Sequence, residues 1–243
     1  MPTQTPKILL GVRYYEAAQE YLRSLPLEHF MESTTQSTQR KITVESLDLV
    51  TARRPEIQVF SELLVQYPIP RQKRPGQVVP DNMVVVHDEP IKALGSYDVP
   101  LQPVGPFWVL EYVSRGNRRK DYDDNMHKYE HDLKVPYCLL FTPEDEEMTL
   151  YRHKGRRYAA VAPDAKGRCA IKELDLEVGL LDNWVRFWYQ GELLPLPGDL
   201  LRSLEETRAK LTEVIREREA LEREVAELRA RLKNGKNPKN GAN

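Results

Sequence analysis

The chain has little that would direct it to a membrane or to an oxidising compartment. Its 243 residues include only two cysteines, Cys138 and Cys169, which are far apart and lack Cys-x-x-Cys spacing. This favours two structural thiols in a reducing environment. No apolar run approaches the roughly 20 residues that a membrane-spanning helix needs, and Arg13 and Glu16 end the short apolar patch near the N-terminus. We therefore expect a cytoplasmic protein that does not enter the membrane.

The chain also lacks a net charge of either sign. Its 36 Lys and Arg residues are balanced by 37 Asp and Glu residues, which gives a formal net charge of −1. A nucleic-acid surface would therefore have to come from local basic clusters. Hydrophobic residues make up 40% of the chain, which is enough for a core and too much for general disorder.

The hydrophobic pattern predicts an α/β fold, a mixed sheet flanked by helices. Apolar spacings of three and four residues predict two helices within residues 1–55. Residues 120–133 are polar and helical in character. Runs rich in β-formers predict strands at 56–69, 78–87, 106–114 and 135–143, a hairpin at 147–163 that turns at Lys154-Gly155, and short strands up to residue 196. A helix followed by strands, another helix and more strands indicates a single core, residues 1–196.

A different pattern begins near Leu200. Residues 200–233 contain no glycine, proline or aromatic residue, and apolar residues recur at two heptad positions. The first position holds Leu204, Leu211, Arg218, Val225 and Leu232, and the second holds Thr207, Val214, Leu221 and Leu228. The pattern predicts a coiled coil over 197–233 that joins copies into a homo-oligomer, most simply a dimer. The alternative is one amphipathic helix packed on its own core. Residues 234–243 are predicted to be a disordered tail.

Two predicted strands each carry one acid in an apolar run. "VVPDNMVVV" contains Asp81, and "FWVLEYVS" contains Glu111. If the two strands are neighbours, these carboxylates lie about 5 Å apart. Two carboxylates that close need a cation between them or a shared proton, and Mg²⁺ accepts one or two carboxylates while keeping waters. The alternative is that each acid is paired with a nearby arginine.

The ordered set of motifs resembles the Uma-two family of restriction endonucleases within the PD-(D/E)XK nuclease superfamily. It consists of "VVPDNMVVV", "FWVLEYVS", a charged turn, a polar helix containing "KY", and "VPYCLLF". The resemblance covers roughly residues 25–195. It implies a restriction-endonuclease-like core that depends on Mg²⁺, with Mn²⁺ as a substitute. It also implies metal ligation by Asp81 and Glu111, with Glu62 as a further acid, and it matches Ser114 and Tyr129 to family positions.

The catalytic lysine of this superfamily is not at its usual place. Val113 stands two residues after Glu111, and Asn125 stands four residues after Asp121, where Uma-two members have their lysine. Lys128 lies one helical turn beyond Asn125 and is the catalytic candidate. Lys120 is a second candidate, and an ordinary solvated role for Lys128 remains open.

Basic clusters supply a candidate phosphate-binding surface on either side of the two acids. The predicted nucleic-acid-binding residues are Arg71, Lys73, Arg74, Arg115, Arg118, Arg119 and Lys120. A third cluster of Lys154, Arg156 and Arg157 is interpreted as a solvated hairpin turn. "HKYEH" at 127–131 matches the His-x-x-Glu-His pattern of some zinc proteases, but the helix lacks an apolar shell and a third ligand, so zinc hydrolysis is disfavoured.

The sequence therefore predicts an endonuclease that hydrolyses phosphodiester bonds in DNA through a metal site with two carboxylates. The alternative is a nuclease fold with little catalysis that binds DNA or directs assembly through its coiled coil. The choice between DNA and RNA, any sequence preference and the physiological role are left open.

Overall fold

The computed structural model describes residues 6–25, 33–113 and 120–235. The chain divides into two compact units, Met1–Leu194 and Pro195–Asn243. The sequence-based boundary at 196 lies two residues further on. Among the described residues, no helix is both long enough and apolar enough to cross a membrane. Residues 236–243 of the predicted tail lie outside the described residues, as do Ser114, Arg115, Arg118 and Arg119. Residues 234 and 235, which were also predicted to be disordered, belong to the C-terminal helix.

Two helices open the first unit, as the spacing of apolar residues predicts. They are α1 (Lys7–Ser24) and α2 (Thr34–Thr51). A capping box starts α2, because the Ser33 hydroxyl accepts from the backbone N–H of Gln36 while the Gln36 side chain accepts from that of Ser33. The buried face of α2 includes Ile42, Leu47 and Val50, and this face holds the helix against the core.

Within the described ranges, thirteen strands follow and form three sheets. They are β1 (Ile57–Ser61), β2 (Leu64–Tyr67), β3 (Gly76–Val78), β4 (Asn82–Val86), β5 (Ser96–Asp98), β6 (Trp108–Tyr112), β7 (Tyr137–Thr142), β8 (Glu147–His153), β9 (Tyr158–Ala160), β10 (Cys169–Ile171), β11 (Leu176–Leu181), β12 (Trp184–Tyr189) and β13 (Glu192–Leu193). The central sheet has the order β1-β4-β6-β7-β8-β9 and is mixed, because β6 and β7 are parallel while the other neighbours are antiparallel. The predicted α/β fold with a mixed sheet is confirmed.

The two faces of the central sheet are covered differently. A small sheet in the order β3-β2-β5 supplies Val65 and Tyr97 to a core cluster with Met83 and Val109 of the central sheet. On the other side, α2 packs between the central sheet and the antiparallel sheet β10-β11-β12-β13. Phe187 of that sheet meets Trp108 with ring centroids 6.1 Å apart.

The segment predicted as one strand at 78–87 is divided in two. Val78 ends β3, and β4 begins only at Asn82. Pro80 separates them, and a proline has no backbone N–H to donate to a sheet. Asp81 therefore lies just before β4.

The helix predicted at 120–133 changes its geometry partway along. It begins as α3 (Lys120–His127) and continues as a π-helical turn, Lys128–Leu133. The turn ends at Lys134 (φ 52°), where the backbone N–H groups of Lys134 and Val135 both donate to the carbonyl of Tyr129. A π-helical turn widens the helix and is frequent at functional sites.

The second unit consists mainly of one helix, α4 (Pro197–Gly235), which is 39 residues long. Asp199 caps its start by accepting a hydrogen bond from the backbone N–H of Leu196. Every apolar residue of the predicted heptad seam is exposed in the single chain. The predicted helix is therefore confirmed, while the coiled coil stays a prediction.

Candidate metal and nucleic-acid site

Pairing of two neighbouring strands places Asp81 beside Glu111. The strands β4 and β6 are antiparallel, with Asn82 opposite Leu110. One further step in this register sets Asp81 opposite Glu111. Residues directly opposite in adjacent strands have Cβ atoms about 5 Å apart. The expected pairing of the two strands is confirmed, and it joins two acids that are 30 positions apart in sequence.

Asp81 is held by a backbone donor and by an arginine. Its Oδ2 accepts a hydrogen bond of 2.6 Å from the backbone N–H of Tyr112. The Nη2 atom of Arg40 lies 3.8 Å from Oδ1, and the Asp81 side chain is only 21% exposed. Donors of both kinds stabilise a carboxylate charge. Asp81 is thus an oriented, partly buried acid at the head of a buried strand.

The surroundings of Glu111 are less favourable to a charged carboxylate than those of Asp81. The hydroxyl of the buried Tyr129 donates a hydrogen bond to its Oε1. Burial and then the nearby Asp81 carboxylate raise the pKa of Glu111 well above its ordinary value, while the Tyr129 hydrogen bond and the Lys128 charge act in the opposite direction. A bound cation or a shared proton would relieve the repulsion between the two acids.

Glu62 lies close to Asp81, and Arg40 connects the two acids. Its backbone N–H donates to the carbonyl of Asp81 at 3.2 Å, and its backbone has a positive φ of 49°. The Glu62 carboxylate lies 2.6 Å from Nη2 of Arg40. Arg40 therefore bridges Glu62 and Asp81, so all three predicted acids lie in one neighbourhood. Metal binding by Glu62 stays a prediction.

Lys128 is close enough to act on the acids through its charge. It begins the π-helical turn, and its Nζ lies 3.5 Å from Oδ1 of Asn125. Its positive charge lowers the pKa of Glu111. Tyr129, the next residue, contacts Glu111 directly. The π-helical turn therefore brings Lys128 toward the site, and its catalytic role stays a prediction. For Lys120, the structure describes the backbone at the start of α3 and not the side chain.

The residues present fit a hard divalent cation. The neighbouring carboxylates of Asp81 and Glu111 supply oxygen donors, and Mg²⁺ commonly takes one or two carboxylates together with waters and phosphate oxygens. In the part of the chain that the structure describes, no group of three or more His, Cys, Asp or Glu side chains is arranged to hold a metal. The donor set suits a partly hydrated Mg²⁺ or Mn²⁺ ion better than a closed cage of protein ligands.

Among the described residues, the histidine motif has no third ligand that would complete a zinc centre. The rings of His127 and His131 have centroids 4.5 Å apart. His131 is in turn paired with Glu130, with Nε2 2.8 Å from Oε2. The described residues contain no three-ligand group that would include these side chains. The interpretation of these histidines as surface residues agrees with this geometry.

The described residues of the predicted basic clusters lie on the surface. Arg71 and Lys73 are exposed, and Arg74 pairs with Glu20 of α1 at 2.9 Å in an exposed ion pair. The cluster of Lys154, Arg156 and Arg157 is exposed at the predicted hairpin. Nucleic-acid binding by Arg71, Lys73, Arg74 and Lys120 stays a prediction, as it does for the residues at 115, 118 and 119, which are not described.

A buried network of polar side chains connects β4 and β6 to the elements that pack against them. The Tyr112 hydroxyl donates to Oδ1 of Asn82 at 2.7 Å and lies 2.7 Å from the Thr43 hydroxyl. Gln39 reaches Thr43 and also exchanges two hydrogen bonds with the backbone of Val185. Burial raises the pKa of Tyr112. This network ties β4 and β6 to α2 and β12, and it holds the backbone that carries both acids.

Two residues of α2 in these surroundings were missed from the sequence. Arg40 bridges Glu62 and Asp81, and the Gln36 side chain donates to the carbonyl of Tyr112 at 3.0 Å. Both lie in a polar helix, "TTQSTQRKITVESLDLVT", where side chains of this type usually face water. The available signal was helical spacing: Gln36, Gln39, Arg40 and Thr43 recur every three or four residues and form one polar stripe.

The chain resembles a known protein family and, more distantly, a solved structure. The model of the Uma2 family, described as "Putative restriction endonuclease", matches residues 28–182, more than half of the chain. No curated protein matches the chain. A solved structure described as "a putative nuclease belonging to DUF820", from Anabaena variabilis, is 16% identical, with 59% of this chain and 75% of that chain covered and a TM-score of 0.45.

The family match covers the strands that carry Asp81 and Glu111, the π-helical turn and β7. The family match assigns the chain to the nuclease class. The chain belongs to the Uma2 family.

Proposed function

We propose that this chain is a metal-dependent endonuclease that hydrolyses phosphodiester bonds in DNA. The observation that carries the proposal is the Asp81–Glu111 pair, two neighbouring acids set opposite each other by the pairing of β4 and β6. Burial and then the Asp81 charge raise the pKa of Glu111. Family membership supports a nucleic-acid substrate. The basic surface residues Arg71 and Lys73, which precede β4, support binding to a phosphate backbone.

Each side chain has a specific role in this proposal. Asp81 and Glu111 would hold Mg²⁺, which would supply charge stabilisation to the phosphate in the transition state. The backbone N–H of Tyr112 keeps the Asp81 carboxylate oriented, and Tyr129 does the same for Glu111. Arg40 orients Asp81 from the opposite side and holds Glu62 close by.

Lys128 supplies the positive charge that the superfamily lysine would supply from another position. Its charge already reaches Glu111. A lysine there can orient the attacking water and stabilise the developing negative charge of the phosphate. Because Val113 and Asn125 occupy the usual lysine positions, the activity depends on whether Lys128 or Lys120 reaches the substrate.

The two remaining proposals concern assembly and location. Self-association through α4 is supported by its exposed seam of leucine and valine. A cytoplasmic location is supported by Cys138 and Cys169, which are free and buried.

A nuclease assay with matched variants tests the proposed activity. The pure protein is incubated with supercoiled plasmid, linear duplex, single-stranded DNA and RNA, each with Mg²⁺, Mn²⁺ or EDTA. We expect plasmid nicking or cleavage with either metal and none in EDTA. Asp81→Asn, Glu111→Gln and Lys128→Met should each lose at least tenfold in rate, while Lys154→Met at the exposed hairpin keeps its rate.

Two outcomes would contradict the proposal. Cleavage that survives Asp81→Asn and Glu111→Gln would come from another site or from a contaminant. Metal-dependent DNA binding without cleavage by the wild-type chain would favour the second candidate, a nuclease fold that binds DNA or directs assembly. This second candidate rests on the absence of a lysine at positions 113 and 125, which hold valine and asparagine.

A further inference from the structure

The leucine and valine side chains along the heptad seam of α4 are exposed in the single chain. They are between 44% and 67% exposed, from Val225 to Leu232. A helix of this length gains little stability from propensity alone and requires a packing partner. A second copy of the same helix fits this requirement, because it would present the same heptad seam.

The flanking charges disfavour a parallel pair. In a parallel dimer, each seam residue faces its own copy, so Arg218 would face the partner's Arg218 inside the seam. Each residue that flanks the seam faces the partner residue five positions later in the sequence. Glu217 therefore faces the partner's Glu222, and the two-fold symmetry repeats this repulsion. Only Glu224 with the partner's Arg229 is attractive. Like charges in the seam and at its edge would oppose this arrangement.

An antiparallel pair centred on residue 216 removes these conflicts. Seam residues then face each other when their numbers add to 432. Leu204 faces the partner's Leu228, and Leu211 faces the partner's Leu221. Leu200 lies one heptad before Thr207 and extends the seam to ten positions from 200 to 232. All ten are covered, and Arg218 faces the partner's Val214 instead of another arginine. The apolar stripe is therefore matched along its full length.

The edges of the same antiparallel pair are also complementary. Lys210 faces the partner's Glu224, and Arg208 faces the partner's Glu222, so each attraction occurs twice by symmetry. Ile215 is apolar at a flanking position and 43% exposed in the single chain. In this register it meets the partner's Ile215 at the two-fold axis. The register thus also explains an apolar residue that lies outside the seam.

One like-charge contact remains, and it is compensated locally. Glu217 meets the partner's Glu217 at the axis. Arg218 from each copy lies beside them, which makes a group of two acids and two bases with no net charge. In the single chain Arg218 pairs instead with Glu222, at 3.3 Å between Nε and Oε1. Arg218 therefore has a role in fixing this register.

We propose that α4 is the interface of an antiparallel homodimer in which residues 200–232 of the two copies overlap in full. The two Leu200 residues then lie about 48 Å apart along the helix pair, at 1.5 Å per residue. A parallel pair would bring the two starts of α4 together. The proposal rests on the self-association suggested above and is independent of nuclease activity.

Single cysteines distinguish the two orientations. Ile215→Cys places two thiols together at the antiparallel axis, whereas a parallel pair holds them on opposite sides. Leu211→Cys places two thiols together only in a parallel pair. After mild oxidation of the full-length protein, we expect a disulfide-linked dimer with Ile215→Cys and none with Leu211→Cys. Cys138 and Cys169 are buried, and the wild-type protein is the control for their reactivity.

A charge exchange gives an independent readout. Lys210→Glu alone should raise the dimer dissociation constant at least fivefold, because the introduced carboxylate would face the partner's Glu224. The double variant Lys210→Glu with Glu224→Lys restores opposite charges only in the antiparallel register and should recover the wild-type constant. In a parallel pair, Glu224→Lys faces the partner's Arg229, so the double variant would be weaker still.

Light scattering on the full chain separates the possible failures. A monomer at all concentrations up to tens of micromolar overturns self-association and with it this proposal. A dimer that crosslinks through Leu211→Cys, or through neither cysteine, overturns the orientation alone. Neither result bears on cleavage of DNA, which is measured in the nuclease assay.

Discussion

Tyr129 and Glu111 are joined by a hydrogen bond from the tyrosine hydroxyl to the carboxylate. The tyrosine lies in the π-helical turn and the acid lies in β6, so the contact connects the helix to the central sheet. Tyr129 is fully buried. A donor that cannot turn away to solvent keeps the carboxylate in one orientation, as a metal ligand requires.

The hydroxyl of Tyr129 should therefore strengthen metal binding. The hydrogen bond lowers the pKa of Glu111, so its removal in Tyr129→Phe lets protons compete better with the metal. We expect Mn²⁺ affinity at neutral pH to fall by roughly threefold to tenfold, which corresponds to the ~0.5–1.5 kcal/mol net contribution of one hydrogen bond. Isothermal titration calorimetry measures this.

Tyr158→Phe is the matched control for that prediction. Its hydroxyl belongs to the same cluster and donates to the carbonyl of Val135 at 2.9 Å rather than to a carboxylate. This variant should lose a similar amount of stability and keep its Mn²⁺ affinity. Equal affinities for both variants would show that Tyr129 has only a packing role.

Glu111 should destabilise the metal-free fold at neutral pH. Its pKa is raised by folding, first by burial and then by Asp81. The folded state therefore binds this proton more tightly than the unfolded state, and the associated stability is present at low pH and is lost as the pH rises through the folded pKa. Each tenfold shift in the ionisation equilibrium corresponds to about 1.4 kcal/mol.

The neutral variant Glu111→Gln should remove this cost. In EDTA, we expect its midpoint of thermal unfolding to exceed that of the wild type at pH 8 and the difference to shrink toward pH 4. Glu173→Gln is a control for which the opposite pH dependence is expected, because folding shifts the pKa of Glu173 in the other direction. Burial acts to raise the pKa of Glu173, but hydrogen bonds from Tyr137 and the Arg152 charge lower it overall. A wild-type advantage over Glu111→Gln at pH 8 would contradict the prediction.

Gly76 is required by the close approach of Tyr67. A Cβ at residue 76 would lie 2.3 Å from the Tyr67 ring, and the Tyr67 hydroxyl donates to Asp132 of the π-helical turn at 3.1 Å. Gly76→Ala should therefore lower the free energy of unfolding by about 1–3 kcal/mol, the usual cost of overpacking. Chemical denaturation measures this, with Gly105→Ala as control because its added Cβ meets nothing within 4 Å.

Sequence patterns predicted the sheet more reliably than the position of each site residue within it. Apolar runs predicted β4, β6 and β7, because buried strands are read from local composition. The start of β4 depended on the missing N–H of Pro80, which delays the strand and places Asp81 at its head. The side-by-side position of Asp81 and Glu111 followed once these two strands were assumed to be neighbours.

The polar surroundings of the site were not predictable in the same way. Arg40 is about 40 residues from Asp81 in sequence, and its approach depends on how α2 packs over β4 and β6. The π-helical turn at Lys128–Leu133 has no clear local signal, because it differs from an α-helix by one residue per turn. The approach of Arg40 and the π-helical turn both depend on long-range packing, which cannot be predicted from a local sequence pattern.

Arg40 is the residue whose removal should affect the acids most directly without removing one of them. Its guanidinium lies 2.6 Å from Glu62 and 3.8 Å from Asp81, with only 19% of its side chain exposed. Arg40→Gln should destabilise the metal-free protein by about 1–3 kcal/mol. The substitution removes the positive charge that lies beside Glu62 and Asp81 in a partly buried place. Mn²⁺ should recover much of that loss, so the metal-induced rise in unfolding temperature should be larger than in the wild type.

Arg74→Gln provides the comparison, since Arg74 and Glu20 form an exposed ion pair with side chains 81% and 63% exposed. Such pairs contribute about 0–1 kcal/mol, so this variant should match the wild type with and without Mn²⁺. Arg40→Lys keeps the charge but replaces the planar guanidinium with a single, more strongly hydrated ammonium group. It should therefore fall between Arg40→Gln and the wild type. If differential scanning fluorimetry gives Arg40→Gln the same metal-induced shift as the wild type, Arg40 supports only the fold and does not act on the metal-binding acids.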